Sequence, residues 1–304
     1  MRNSITIVSR KSKLALWQAN WVKEKLSILH PGLTFSISAV VSTGDRLNHQ
    51  PIESIGGKNV FIKELQSDLL AKQADIAVHC IKDMSVFPTE GLTTSCIPSR
   101  AEANDTLICR EPNTLESLPV GAKIGTGSPR RACLIKNVRP DINICPIRGN
   151  IDTRLQKLDN GQYDAIILAK AGLKRLNLHH RIHQNLDHTN FTPAIGQGAL
   201  GLEHRSKDDY IQQLISKLHD PETAACVLAE QTVNQILEGD CHSCIGAYAT
   251  INGDLMRLSA MVGSPHNNEI IRVNLEGHKD SAIATATQAA HDLIAKGALQ
   301  LLNT

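Results

Sequence analysis

One stretch constrains the chain more than any other: Ala74-Asp75-Ile76-Ala77-Val78-His79-Cys80-Ile81-Lys82-Asp83-Met84-Ser85. Its first half is an apolar run of strand length, and its second half abruptly sets Lys82 beside Asp83. In an open α/β sheet, ligands bind beyond the carboxyl ends of the strands, so a charged pair at this position is placed for a ligand rather than a core. A solvated surface pair in an ordinary turn is the plain alternative.

The rest of the chain repeats the pattern. Residues 4–8 read as a strand, followed by Ser9-Arg10-Lys11-Ser12 and an amphipathic helix with Leu14, Trp17, Trp21 and Leu26 on its apolar side. Residues 34–41 form a second strand, and Gly56-Gly57-Lys58 precedes a helix that begins near Phe61 and carries Leu65 and Leu69 as its stripe. A strand at 92–97 leads into a polar segment at 98–105, which reads as a crossing into a second domain. There, Gly125-Thr126-Gly127-Ser128-Pro129-Arg130-Arg131 combines a strand end, a small-residue loop and a proline suited to a first helical position. A strand at 142–147 ends in Arg148-Gly149-Asn150 with Arg154 one turn on, and a strand through 163–169 runs into Lys170-Ala171-Gly172-Leu173-Lys174-Arg175. A solvated loop explains any one of these strand ends. Their repetition argues for convergence on a polyanion rich in carboxylates or phosphates. Walker A spacing is absent, and Gly125-Thr126-Gly127 lacks the later glycine of a dinucleotide fingerprint.

Charge and composition narrow the partners. Lysine and arginine exceed aspartate and glutamate by only +2, and aromatics are 3%, so neither a broad basic field nor base-stacking platforms are available and nucleic acid is not expected. No segment approaches membrane-spanning length, and the first residues carry no export signal, so a cytoplasmic monomer with reduced thiols is expected. His179-His180-Arg181-Ile182-His183 offers imidazoles without completing a metal set, and a solvated helix end is the better reading. A breaker-rich segment at 190–198 is a second crossing, which makes the first domain discontinuous and predicts a hinged cleft. Beyond it, Asp220-Pro221 caps a helix that runs to Leu237, and strands at 247–251, 255–262 and 270–275 and a helix at 280–294 make a small third domain. Cys241 and Cys244 lack a second pair for zinc and a helix start for redox chemistry; an exposed loop cysteine serving as an attachment point is the third option.

Together these motifs resemble the porphobilinogen deaminase family, also called hydroxymethylbilane synthases. The resemblance rests on Ser9-Arg10-Lys11-Ser12 with Leu14-Ala15-Leu16-Trp17-Gln18, Gly56-Gly57-Lys58, Val78-His79 with Lys82-Asp83, Arg130-Arg131, Arg148-Gly149-Asn150 with Thr153-Arg154, Ala171-Gly172-Leu173-Lys174-Arg175, Gly196-Gln197-Gly198, and Leu237-Glu238-Gly239 before Cys241. It implies an α/β protein of three domains: 1–98 with 194–217, 103–191, and 220–304. The first two resemble a two-lobed periplasmic-binding-protein (type II) scaffold, and the third is a small α+β domain of three antiparallel strands with helices.

The resemblance further implies a transferase of tetrapyrrole (haem) biosynthesis that joins four porphobilinogen molecules into hydroxymethylbilane. It implies a dipyrromethane cofactor held by a thioether to Cys241, with Asp83 as the catalytic carboxylate. Arg10, Ser12, Gln18, Lys58, Phe61, Lys82, Thr126, Ser128, Arg130, Arg131, Arg148, Arg154, Lys170, Gly172 and Arg175 match its substrate and cofactor contacts; no metal is implied. A non-catalytic anion-binding module on the same scaffold is the competing reading. This chain departs from the family pattern at Ser54, Gly127, Pro129, Asp152, Lys170, Gln231 and Asp240. Asp240, beside Cys241, is expected to favour the protonated, less nucleophilic thiol.

Overall fold

Ser4–Arg10 (β1) alternates its apolar side chains between two covered faces: Ile5 and Ile7 enter one core cluster, Val8 another. The computed structural model describes residues 3–42, 62–85, 87–239, 243–264 and 268–302. Lys13–Leu29 (α1) covers the Ile5–Ile7 face with Ala19, Val22 and Leu26, while the helix Lys63–Leu70 (α2) covers the Val8 face with Leu65 and Leu69. Of the apolar side expected for α1, Leu26 lies in the Ile5–Ile7 cluster and Trp21 packs against it, but Trp17 does not turn inward. Gln18, Ala19, Val22 and Leu26 are its buried positions, Leu14 and Trp21 are half-buried, and Trp17 is 37% exposed. Residue 17 precedes the 18-22-26 line by about 100° of helical rotation, and bulk alone does not turn it inward.

These elements belong to a compact unit formed by Met1–Ala101 and Ala199–Ala224. With Thr34–Val40 (β2), Ile76–Cys80 (β3), Leu92–Cys96 (β4) and Leu200–Arg205 (β10), β1 makes a five-stranded sheet in the order β2-β1-β3-β10-β4. The first three strands are parallel, and β10 runs antiparallel to both of its neighbours.

The second unit comprises Glu102–Gly198 and Ala225–Thr304. Its mixed sheet follows the same plan. Lys123–Gly125 (β6) has Asn143–Cys145 (β7) and Ala165–Ala169 (β8) as parallel neighbours, and Asp105–Cys109 (β5) and Gln184–Asn185 (β9) complete the order β7-β6-β8-β5-β9. The sequence suggested a polar crossing through residue 105, yet Asp105 opens β5, all five residues of which are buried. The strand expected over 142–147 is cut to three residues, with Pro146, which has no N–H to donate, directly after it.

Pro129–Val138 (α3) follows β6, Ile151–Asp159 (α4) follows β7, and Lys170–Arg175 (α5) follows β8. Cys244–Asn252 (β11), Leu255–Gly263 (β12) and Ile270–His278 (β13) form an antiparallel meander, whose first turn places Gly253 at φ +62 between paired Asn252 and Leu255. Pro221–Ile236, which follows Asp209–Ser216 (α6) and is labelled α7, joins Ala282–Ala295 (α8) in covering the meander around Val233, Ala247, Met256, Leu258, Ala286 and Leu293. Asp220 caps α7 by accepting the Thr223 N–H at 2.9 Å.

Candidate functional site

In each mixed sheet, the parallel strands bring their carboxyl ends to one edge. In the first unit, β1 ends at half-buried Arg10, and Ser12 caps α1 by accepting the Ala15 N–H at 3.3 Å. At the same edge, β3 passes into a single 3-10 turn, Ile81–Asp83. Buried Ile81 anchors this turn, its N–H donating to the Ala199 carbonyl at 3.1 Å, while Lys82 and Asp83 remain half-buried. Gln18 lies beneath, 2% exposed, donating to the Cys80 sulfur at 3.1 Å.

On the opposite face of β3, His79 meets Glu203 at 2.9 Å, Gln66 donates to the other Glu203 oxygen at 2.9 Å, and the Thr89 hydroxyl donates to Gln66. Buried polar groups so fully paired rigidify the strand that carries the charged turn. Glu203 and Gln66 were invisible as site residues in the sequence. The only available signal was a glutamate inside the otherwise apolar run that opens β10.

In the second unit, cations follow the ends of each of β6, β7 and β8. Buried Thr126 accepts the Ser128 N–H at 3.2 Å, and Ser128 caps α3 with Pro129 in the first turn. Arg130 and Arg131 turn inward from that helix start. Arg130 reaches Asp105 at 2.7 Å and the Thr192 carbonyl at 2.5 Å; Arg131 reaches the other Asp105 oxygen at 2.7 Å and the Ile167 carbonyl at 3.1 Å. They are 3% and 7% exposed. The resemblance implies guanidiniums presented to substrate carboxylates; here both hydrogen-bond an internal carboxylate, Asp105.

Burial would push the Asp105 carboxyl up, but the charges of Arg130 and Arg131 and the hydrogen bonds of Arg131 and Gln197 outweigh it and hold the group well below the ordinary carboxylate range. Gln197 donates to Asp105 at 2.9 Å and to the Ala103 carbonyl at 2.6 Å. Next to it, the Gly196 N–H donates to buried Glu230 of α7, whose other oxygen accepts the Ala249 N–H of β11.

Arg148 follows β7 and is half-buried. Gly149 turns the chain at φ +111, where a Cβ would come 2.8 Å from Thr153 Cγ2, and its carbonyl accepts Arg154 Nε at 2.7 Å. Arg175 donates to the Gly198 carbonyl at 2.8 Å, and Gly172 is buried within α5. Lys170 pairs with Glu102 at 2.6 Å, and Lys174 binds the other oxygen, so the added cation at position 170 already has a carboxylate. These two lysines lower the Glu102 pKa through their hydrogen bonds.

Thr126, Ser128, Arg148, Arg154, Lys170 and Arg175 thus all follow the carboxyl ends of β6, β7 and β8, with Lys170 already paired to Glu102. Lys58, Phe61 and Cys241, and the departures at Ser54 and Asp240, lie outside the described residues. Among the described residues, no group of three or more His, Cys, Asp or Glu side chains is placed to hold a metal ion, and no helix is long and apolar enough to cross a membrane.

Solved structures similar to this chain include the periplasmic aliphatic sulphonate binding protein SsuA from Escherichia coli, at 13% identity and TM-score 0.41, covering 77% of this chain and 70% of that chain. The periplasmic VFT2 domain of BvgS from Bordetella pertussis aligns at 14% identity and TM-score 0.38, covering 72% of this chain and 94% of that one. The family models reach further along the sequence. One described as "Porphobilinogen deaminase, dipyromethane cofactor binding domain" matches residues 5–213, and "Porphobilinogen deaminase, C-terminal domain" matches residues 224–295. With the charged turn after β3 and the cationic strand ends inside the first match and the antiparallel meander inside the second, the chain belongs to the porphobilinogen deaminase family.

Proposed function

We propose that the chain is a transferase that condenses four porphobilinogen molecules head to tail into hydroxymethylbilane, releasing ammonia at each addition. The observation that carries this reading is Asp83, held half-buried on a turn that Ile81 and the His79–Glu203–Gln66 network fix from below, in a chain of this family. Each addition breaks the bond between the aminomethyl carbon and its nitrogen, leaves positive charge on the pyrrolic methylene, and joins that carbon to the α-carbon of the preceding ring, which gives up its proton. A carboxylate in hydrogen-bonding reach of the pyrrole N–H stabilises that charge and directs the proton, and Asp83 takes this role. Dipyrromethane, when bound, supplies the acceptor pyrrole for the first addition. Cys241 is its proposed attachment point. Thr126, Ser128, Arg148, Arg154 and Arg175 are the proposed partners of the pyrrole carboxylates, with Arg10, Ser12 and Lys82 beside Asp83. Arg130 and Arg131 act one step back, bracing the α3 start through Asp105. The enzyme is proposed to work as a monomer in the cytoplasm.

Intact-mass measurement of the purified protein and of Cys241→Ser tests the reading. Added mass equal to two linked pyrrole units, absent from the variant, is expected, together with porphobilinogen consumption and ammonia release. Protein that neither loads nor consumes porphobilinogen overturns it.

A further inference from the structure

The cysteine that ends the Cys241-x-x-Cys244 spacing has a partner far away in sequence. Cys244 opens β11 and is 1% exposed; Cys133 lies in α3 and is 2% exposed. The two thiols lie close enough to act on one another's ionisation. Strand register locates the contact independently. Cys244 pairs directly with Gly263 of β12, and a Cβ added to Gly263 would overlap the Cys133 sulfur. That sulfur therefore fills the space of the missing side chain at 263, next to Cys244. Directly opposed residues of an antiparallel pair carry their Cβ positions on one face about 4.5–5.5 Å apart, which sets the Cys133 sulfur beside the Cys244 side chain.

Two guanidiniums act on the pair, Arg272 on Cys133 and Arg130 on Cys244, and the Nε atoms of both are buried without a hydrogen-bond partner. The Cys133 sulfur also faces the Ser264 carbonyl at 3.4 Å.

We propose that Cys133 and Cys244 are a redox pair that closes to a disulfide under hydrogen peroxide, covalently joining α3 to β11. The neighbouring Cys244 thiol draws the Cys133 pKa down, assisted by the Arg272 charge, while Cys133 and burial push Cys244 up. Cys133, on which the Arg272 charge acts, takes the attacking role. It displaces hydroxide from the peroxide and becomes a sulfenic acid; the Cys244 sulfur then attacks that sulfur, and the sulfenic oxygen leaves as water once protonated. The two thiols lose two electrons and two protons, and the peroxide becomes two waters.

The test uses the full-length protein and does not depend on deaminase activity. Protein is treated with hydrogen peroxide, unfolded in an alkylating agent with and without prior dithiothreitol, and mapped by peptide mass spectrometry. The expected product is a linked peptide containing Cys133 and Cys244, lighter by two hydrogens and abolished by dithiothreitol. It should persist in Cys145→Ser and disappear in Cys133→Ser. Recovery of both cysteines in alkylated form, conversion of Cys133 to a sulfinic acid with no linked peptide, or a link from either cysteine to another residue overturns the proposal.

Discussion

Asp105 illustrates how opposing effects on one carboxylate are decided by its neighbours. Desolvation alone would leave it protonated, but two guanidiniums within 2.7 Å keep it charged. Taking that charge away would strand two buried cations, and Asp105→Asn is expected to destabilise the protein by about 3–5 kcal/mol in urea unfolding. The pH dependence follows in sign. The folded pKa lies below the unfolded value of about 3.9, so the stabilisation is fully present above the unfolded value and is lost as pH falls towards the folded one. Wild-type stability should drop on acidification from about pH 5 to pH 3, with a shallower limb for Asp105→Asn; equal slopes would refute this assignment. Asp83 behaves differently because it is half-buried on a turn. Asp83→Asn is expected to lower kcat by roughly 10²–10⁴-fold with little change in the unfolding midpoint. A stability loss matching the activity loss would count against the catalytic role.

Among the elements, α3 carries the most consequences, since its start holds Ser128, Arg130 and Arg131 and its Cys133 sulfur sits against Gly263 of β12. Ser128→Ala removes the cap on the Arg131 N–H and should cost about 1 kcal/mol, measurable by urea unfolding, whereas Ser128→Asp should retain most of the cap. Capping signals of this kind made α3 legible in the sequence, whereas the end of β7 was read past the breaker Pro146. The buried polar connections were not legible. Asp105 and Thr106 sit inside β5 where a sequence reading expects apolar residues, and the arginines that make this tolerable lie 25 and 26 positions away. Gln18 was missed on the inward side of α1 for a related reason: its amide donates to Cys80, 62 positions away. Residue type reports local preference, whereas these positions are decided by partners that only the fold brings near.

For the whole molecule, neither unit is continuous in sequence: the chain crosses between them after Ala101, Gly198 and Ala224. A chain ending at Ala224 keeps both mixed sheets but loses the meander that covers α3, including buried Met261, which packs in the cluster of Leu134 and Ile135. Such a truncation is expected to bind the dye ANS strongly and to lose cooperative unfolding of the second sheet; dye binding equal to that of the full chain would contradict this. The same threading has a consequence in time. Because β10 lies between β3 and β4, the first sheet remains split until residue 205 has been made, although β4 is complete at residue 96. At about 5–20 residues per second, the ribosome holds that nascent sheet open for roughly 5–20 s, with two unpaired edges available to chaperones or to neighbouring chains.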